Sequence, residues 1–390
     1  MPKMRGDGVQ ETVQLGEAAW SQRGLRGKGQ LAAGLLRREG MMPGKIRKRF
    51  NVLTAENDHA ARAFSEYVPK EYRDTAQYID VLQWNIEWFG AGKSQAKDRQ
   101  RFNRVVDILE AFNSDLFVFQ EIAGPSKDGR YPGVLDAVAE ELNRRGAGDY
   151  VVYYTAAGGE QRVAMMWDRD WLRSKADVED LFPRGEHQKP GKKDPFAGRT
   201  PLYGYFTARI PSGSSVPVPP GTEKFDFQVL GVHLKAMAEG APQRKESAAI
   251  LANWLTTTAQ ATDSDTMILG DWNAAPDAPE WAPFHALEDD PATPVHFRDI
   301  NDPSDYSYLW LANRSNRFLS RIDLAAVTLA SADQVVDQQI AKVVQWVPIQ
   351  EALARAGSMK DKAVVKVLQE VKEAVSDHLP TLARFYIKQK

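Results

Sequence analysis

The stretch Val81-Leu82-Gln83-Trp84-Asn85-Ile86-Glu87-Trp88 alternates apolar and polar residues with period two. That period belongs to a β-strand, with Leu82, Trp84, Ile86 and Trp88 on one face and Gln83, Asn85 and Glu87 on the other. Downstream, Phe102, Val105, Val106 and Leu109 fall at i, i+3, i+4 and i+7, the spacing of one helix face. Asp115 to Ile122 then returns to a strand whose apolar run is almost unbroken. A strand, a helix and a second strand in that order open a layered α/β fold.

The alternation continues to the end of the chain. Tyr150 to Thr155 and Arg162 to Trp167 read as a strand pair turned at Gly158-Gly159. Further strands are expected at Phe225 to Leu234, Met267 to Leu269, Ile322 to Val327 and Leu382 to Ile387. Helices fit 243–258, with Ala248, Leu251 and Leu255 on one face, and 361–374. Two loops interrupt the pattern. Residues 184–199 hold five Lys/Arg against two acids, and Pro211 to Gly221 is rich in Pro, Ser and Gly.

The chain has 390 residues, is 43% hydrophobic and 26% charged, and contains no cysteine. It is long enough for a large core and has the make-up of a globular protein. No stretch approaches the ~18 apolar residues of a membrane span. Without cysteine there is no disulfide framework, thiolate chemistry or cysteine metal site. The formal charge of −2 conceals an asymmetry: residues 1–50 carry 11 Lys/Arg against 4 Asp/Glu, and the remainder carries 39 against 48. An acidic body argues against a broad sequence-blind DNA cradle, although a local basic patch or bound cations remain compatible with it.

Three segments are expected. Residues 1–50 read as a basic extension, 51–76 as a polar lead-in, and 77–390 as the catalytic domain. The extension is either a basic arm for nucleic acid or anionic lipid, centred on 23–49, or sequence preceding a natural start at Met41 or Met42. Its run Leu31 to Leu36 is too short for a signal-peptide core, so the expected location is the cytoplasm.

Ionisable and polar side chains stand where the apolar strands end, the place where a rigid scaffold presents chemistry in loops. Asn85 and Glu87 lie on the polar face of the first strand, for which the plain alternative is a solvated edge. Glu121 closes an apolar strand, so it either surfaces or binds a metal. His233 ends Phe227-Gln228-Val229-Leu230-Gly231-Val232, and Lys235 follows on the same parity. Asp271 and Asn273 in Gly270-Asp271-Trp272-Asn273 point the same way if extended; the alternative is an Asx turn. Asp323 interrupts an apolar strand, where a carboxylate is costly unless paired, and a histidine is its natural partner. Ser376-Asp377-His378 precedes the last strand. The set offers carboxylates for a hard divalent cation, two histidines and two asparagine amides. No P-loop, Gly-x-Ser-x-Gly elbow or His-Glu-x-x-His helix is present.

The order Trp84-Asn85-Ile86, Gln120-Glu121-Ile122, Val232-His233-Leu234, Gly270-Asp271-Trp272-Asn273, Ile322-Asp323 and Ser376-Asp377-His378 resembles the endonuclease/exonuclease/phosphatase (DNase I-like) superfamily over roughly 78–390. The resemblance implies a four-layer α/β sandwich, two mixed β-sheets packed face to face with helices outside. It implies Mg²⁺ or Mn²⁺ and hydrolysis of a phosphoester. In its terms Glu121 resembles the principal metal ligand, Asn85 its neighbour at metal and phosphate, and Asp377 a second metal-side carboxylate. Asp271 and Asn273 resemble the pair that orients water and holds phosphate. His378 resembles the general base or phosphate-stabilising histidine, with Asp323 its orienting carboxylate. His233 resembles the histidine across the scissile phosphate, for which Glu160 or Gln161 is the candidate partner. Arg162 is a candidate phosphate contact.

The same resemblance narrows the substrate. His233 stands where abasic-site endonucleases carry tyrosine, and Asn273-Ala274-Ala275-Pro276 lacks the continuation of inositol phosphatases. His233-Leu234-Lys235 is similar to bacterial-type nucleases. The expected activity is a metal-dependent nuclease on DNA or RNA. The alternatives are a phosphatase or phospholipase C-like enzyme on inositol phosphates or phospholipids, and an inactive binding protein on the same fold.

Overall fold

The computed structural model describes residues 62–73, 78–91, 95–126, 132–159, 161–183, 185–196, 198–208, 226–290, 295–311, 317–328, 341–357 and 361–386. The expectations for 1–50, for Glu160 and for the loop Pro211 to Gly221 lie outside them.

Among the described residues two large sheets form. The first has the strand order β14-β15-β1-β2-β4-β3, built from β1 (Tyr78–Phe89), β2 (Leu116–Ile122), β3 (Tyr150–Tyr154), β4 (Arg162–Asp168), β14 (Lys342–Val343) and β15 (Thr381–Tyr386). The second runs β10-β13-β9-β8-β7-β5, with β6 also on β7. Its members are β5 (Leu172–Ser174), β6 (Glu179–Asp180), β7 (Leu202–Ala208), β8 (Asp226–His233), β9 (Thr266–Asp271), β10 (Val295–His296) and β13 (Asp323–Thr328). Each sheet is mixed: β1 is parallel to β2 and β8 to β9, and the other pairs are antiparallel. A separate hairpin joins β11 (Tyr308–Leu311) to β12 (Arg317–Ser320).

Three apolar cores separate four layers, so the fold is the sandwich expected above. Leu82, Trp84, Ile86, Phe117 and Phe119 bury one face of the first sheet under α1 (Gln95–Phe112), α2 (Val134–Arg145), α5 (Val347–Ala356) and α6 (Lys362–Ala374). Leu230, Val232, Ile268, Leu324 and Ala326 cover the far face of the second sheet with α3 (Ala241–Trp254) and α4 (Ala282–Glu288). The opposite parity of both sheets meets in the middle, where Val81, Val118, Met165, Val229, Leu269 and Ala325 pack. Strands buried on both faces read as near-continuous apolar runs.

This arrangement corrects two readings of the first strand. Gln83 and Asn85 are not on a solvated edge, because they share the parity of Val81 and are fully buried between the sheets. Trp88 does not share the face of Trp84. Glu87 and Trp88 take left-handed φ values of 26° and 54°, the register with β2 slips between Asn85 and Phe89, and Phe89 fills the core instead. Part of the polar lead-in also belongs to the fold. Val68 and Tyr72 are buried in the helix-side core, and Arg384 bonds the Glu71 carbonyl while pairing with Asp80 across β15 and β1. No helix of the described residues is long and apolar enough to cross a membrane.

Candidate active site

The inward parity that is apolar in mid-sandwich turns polar at one end. On β8 it runs Val229, Gly231, His233; on β9 Met267, Leu269, Asp271; on β13 Val327, Ala325, Asp323. In register, His233 faces Asp271 across β8–β9, and Asp271 faces Asp323 across β9–β13. From the other sheet β1 brings Asn85, whose Nδ2 donates to Asp271 Oδ2 at 3.0 Å. The backbone N–H of Asn273 donates to Asp271 Oδ1 at 2.9 Å, so the Asx turn forms, and Asn273 Nδ2 holds the Leu234 carbonyl.

Glu121 reaches this cluster by a change of backbone, not by parity. An even alternation along β2 would send it with Phe117 and Phe119 toward the helices. Its φ of 59° and a register slip between Phe119 and Ile122 turn it round. A bulge of this kind re-aims one side chain at the end of a ladder. Glu121 Oε2 then accepts from the Trp88 backbone N–H at 3.2 Å, and Oε1 lies 3.7 Å from His233 Nε2. Left-handed φ values at Glu87, Trp88, Glu121 and Asn273 gather strain here, each costing on the order of 1–3 kcal/mol. Arg101 secures the strained turn by donating to the carbonyls of Ile86, Glu87 and Val375.

His378 arrives on the segment before β15. Ser376 Oγ donates to the Asn85 carbonyl and accepts from the His378 backbone N–H, and Trp84 Nε1 donates to the His378 carbonyl. The expected partner of Asp323 is in place: His378 Nδ1 lies 2.8 Å from Asp323 Oδ2. The other carboxylate oxygen accepts from Gln83 Nε2 at 2.9 Å. Burial would depress the imidazole, but the charge of Asp323 and its hydrogen bond push His378 up to about 10. Asp271 is pushed up to about 7, by burial first and then by Asp323 and Glu121, against the pull of His378 and Asn85. His233 is driven well below its ordinary value by complete burial and by the charges of Arg199, His378 and Lys235.

Asp377 is buried, with Oδ1 3.9 Å from His378 Nε2 and Oδ2 3.4 Å from Lys372 Nζ. Glu87 lies near it, its carboxyl raised by burial and by Asp377. Tyr308 stacks tilted on His378 with ring centroids 4.8 Å apart, and its phenol is raised by burial and four carboxylates.

Among the described residues no three His, Asp or Glu side chains close on one point as a ready-made metal cage. The donors fit a hard cation of another kind. Mg²⁺ is commonly held by one or two carboxylates together with water and phosphate oxygens. Glu121 and the Asn85 side-chain oxygen, which also accepts from the Glu87 backbone N–H at 3.0 Å, are hard oxygen donors. Glu121 is also one of two carboxylates that, after burial, raise Asp271, a repulsion a cation would relieve.

Arg162 does not join the cluster. Its guanidinium is held by the Thr155 and Gly159 carbonyls. Gln161 does not meet His233 directly, as one form of the expectation had it; the other form, Glu160, lies outside the described residues. Arg199 meets His233 Nε2 at 2.7 Å, and Gln161 Oε1 accepts from Arg199 at 2.8 Å. Arg199 is the last residue of the basic loop, which is pinned to α3 by Gln243, Ser247 and the Lys189–Glu246 pair. Sequence reasoning did not single out Arg199, Gln83 or Tyr308. Gln83 carried a signal, its shared parity with Asn85, whereas the other two are placed by contacts distant in sequence.

Paired acids, amides and histidines thus stand together at one end of the inner layer of a two-sheet sandwich. The Endonuclease/Exonuclease/phosphatase family model matches residues 82–378, and the chain belongs to that family. No curated protein matches it. Three solved structures of similar course are a D. rerio TDP2 complexed with single-strand DNA product, the human Nocturnin catalytic domain with bound sulfate, and a Bacteroides thetaiotaomicron mannosyl-6-phosphatase. The first is 13% identical, with 79% of this chain and 98% of that one covered and a TM-score of 0.47. The second is 14% identical, covering 82% and 98%, with a TM-score of 0.46. The third is 13% identical, covering 78% and 98%, with a TM-score of 0.47.

Proposed function

We propose that the protein is a divalent-metal-dependent phosphodiester hydrolase, a nuclease that attacks its substrate in line with water. The observation that carries the reading is the joining of the two sheets at one end, where Asn85 bonds Asp271 beside Glu121 and the His378–Asp323 pair.

Glu121 and Asn85, with Asp377, would hold Mg²⁺ or Mn²⁺, which would supply Lewis-acid neutralisation of the phosphate charge. The chain does the rest. Asn85 and the Asn273 N–H fix both oxygens of Asp271, which orients the water and takes its proton. Asp323, itself fixed by Gln83, keeps the His378 proton on Nδ1 and leaves Nε2–H for a non-bridging oxygen as charge builds. Asn273 presents its second amide N–H to the same group. Support for a nucleic acid comes from the cationic loop 185–199, whose Lys192 and Lys193 are exposed and whose end lies in the site.

The test is cleavage of supercoiled plasmid and single-stranded RNA in Mg²⁺ or Mn²⁺, with EDTA and His378→Ala as controls. Cleavage is expected with metal, abolished by EDTA and lowered by about 10²–10⁴-fold in the variant. Nucleic acid left intact under every condition sinks the nuclease. Turnover on phospholipid or inositol phosphate panels then favours the phosphatase or phospholipase reading, and Mg²⁺ binding without any turnover the inactive binding protein.

A further inference from the structure

Arg199 is held unlike an ordinary surface arginine. Nη1 lies 2.7 Å from His233 Nε2 and donates to the Leu234 carbonyl at 3.2 Å, and Nη2 donates to Gln161 Oε1 at 2.8 Å. A guanidinium has five donors and no acceptor. The ring nitrogen it meets must therefore accept, which places the His233 proton on Nδ1. Nε2 is also the ring atom turned toward the acids, 3.6 Å from Asp271 Oδ2 and 3.7 Å from Glu121 Oε1. Nδ1 is buried without a hydrogen-bond partner. The histidine thus has no N–H to offer on the side where the reaction takes place.

Arg199 does have N–H groups to offer. Three bonds occupy three of its five donors, the side chain is only half-buried, and Asp271 and Glu121 both act on its charge. Building on the phosphoesterase reading, we propose that Arg199 binds the phosphoryl group on this side of the site, with His233 and Gln161 as positioning residues that hold its guanidinium. The ligand chemistry is a tetrahedral phosphate whose oxygens a planar fork meets two at a time. An arginine at this place stabilises charge and gives up no proton, so protonation of the leaving oxygen falls to another group or to water.

The experiment is isothermal titration of the full chain with inorganic phosphate in Mg²⁺, alongside hydrolysis of bis(p-nitrophenyl) phosphate and of plasmid. The variants are Arg199→Ala, Arg199→Lys, His233→Ala and His233→Gln, each checked for a cooperative thermal transition. Arg199→Ala is expected to weaken phosphate binding by about 10-fold or more and to lower kcat/KM by about 10²–10³-fold. Arg199→Lys is expected to recover little, because a point charge does not replace the fork, and it carries the comparison if the alanine variant fails to fold. His233→Gln keeps an acceptor oxygen for Arg199 and is expected to retain more phosphate affinity than His233→Ala, a rescue that a direct phosphate contact by the imidazole does not predict. Wild-type affinity in both Arg199 variants, no rescue by glutamine, or no phosphate binding by the wild type overturns the proposal. Arg199-dependent phosphate binding with uncut plasmid leaves it standing while the nuclease fails; plasmid cleavage indifferent to Arg199 does the reverse.

Discussion

Gly270 has φ of 156°, and a Cβ placed on it meets the Val232 carbonyl oxygen at 2.0 Å. That contact lets the ends of β8 and β9 lie close enough to set His233 opposite Asp271. A backbone oxygen in a paired strand has nowhere to retreat, so Gly270→Ala is expected to destabilise by more than about 3 kcal/mol or to prevent folding. Urea denaturation measures it, and a variant within experimental error of the wild type refutes the account. At this scale much of the site was legible. Asn85, His233, Asp271, Asn273, Asp323 and His378 could be read as polar residues closing apolar strands, and the pairing of Asp323 with a histidine follows from the cost of a lone buried carboxylate. Glu121 was legible as a residue but not in its direction, since the bulge that turns it is a matter of how β2 pairs with β1 and β4.

Among the elements, α1 and α2 are tied by Arg145. Its guanidinium faces Asp107 and Glu110 on α1 and Glu141 on its own helix, at 2.8, 2.5 and 2.9 Å. Arg145→Ala leaves those acids without it, which is expected to cost on the order of 3 kcal/mol. The pH dependence has a definite sign. Burial raises the Glu141 carboxyl, but the bonds from Arg144 and Arg145 outweigh it and hold the group below its ordinary value. Its share of stability is therefore complete above the unfolded carboxylate value of about 4.3 and is lost as the pH falls through the lower folded value. Denaturant midpoints taken from pH 7 to pH 3 should show a flatter acid limb in Arg145→Ala; parallel curves contradict the assignment. The period of 3.6 made α1 legible from four residues. The hairpin β11–β12 and the strand β7 were not anticipated, since short strands are specified by their partners more than by local pattern.

For the whole molecule, the proposed metal site would link cation binding to folding. A cation bound at Glu121 and Asn85 would touch both strands of the β1–β2 ladder at one end and, through Asp271, the second sheet. Mg²⁺ at a hundredfold excess over its Kd is expected to stabilise by about 2.7 kcal/mol, read as a rise of several degrees in Tm. The rise should vanish in EDTA and in Glu121→Gln. An identical Tm with Mg²⁺, with EDTA and in the variant removes the metal from this site.

The sequence by itself determined the layered α/β class, the inward parity of most strands and the residue types gathered at their ends, because burial on a period of two or 3.6 is written locally. Only the tertiary structure decided which polar face is interior, where the bulges at Glu87–Trp88 and Glu121 fall, and that Arg199 from a loop 34 residues away becomes the partner of His233. Those outcomes depend on two sheets meeting face to face. Facing sheets bring together side chains distant along the chain, and no local period records which of them will touch.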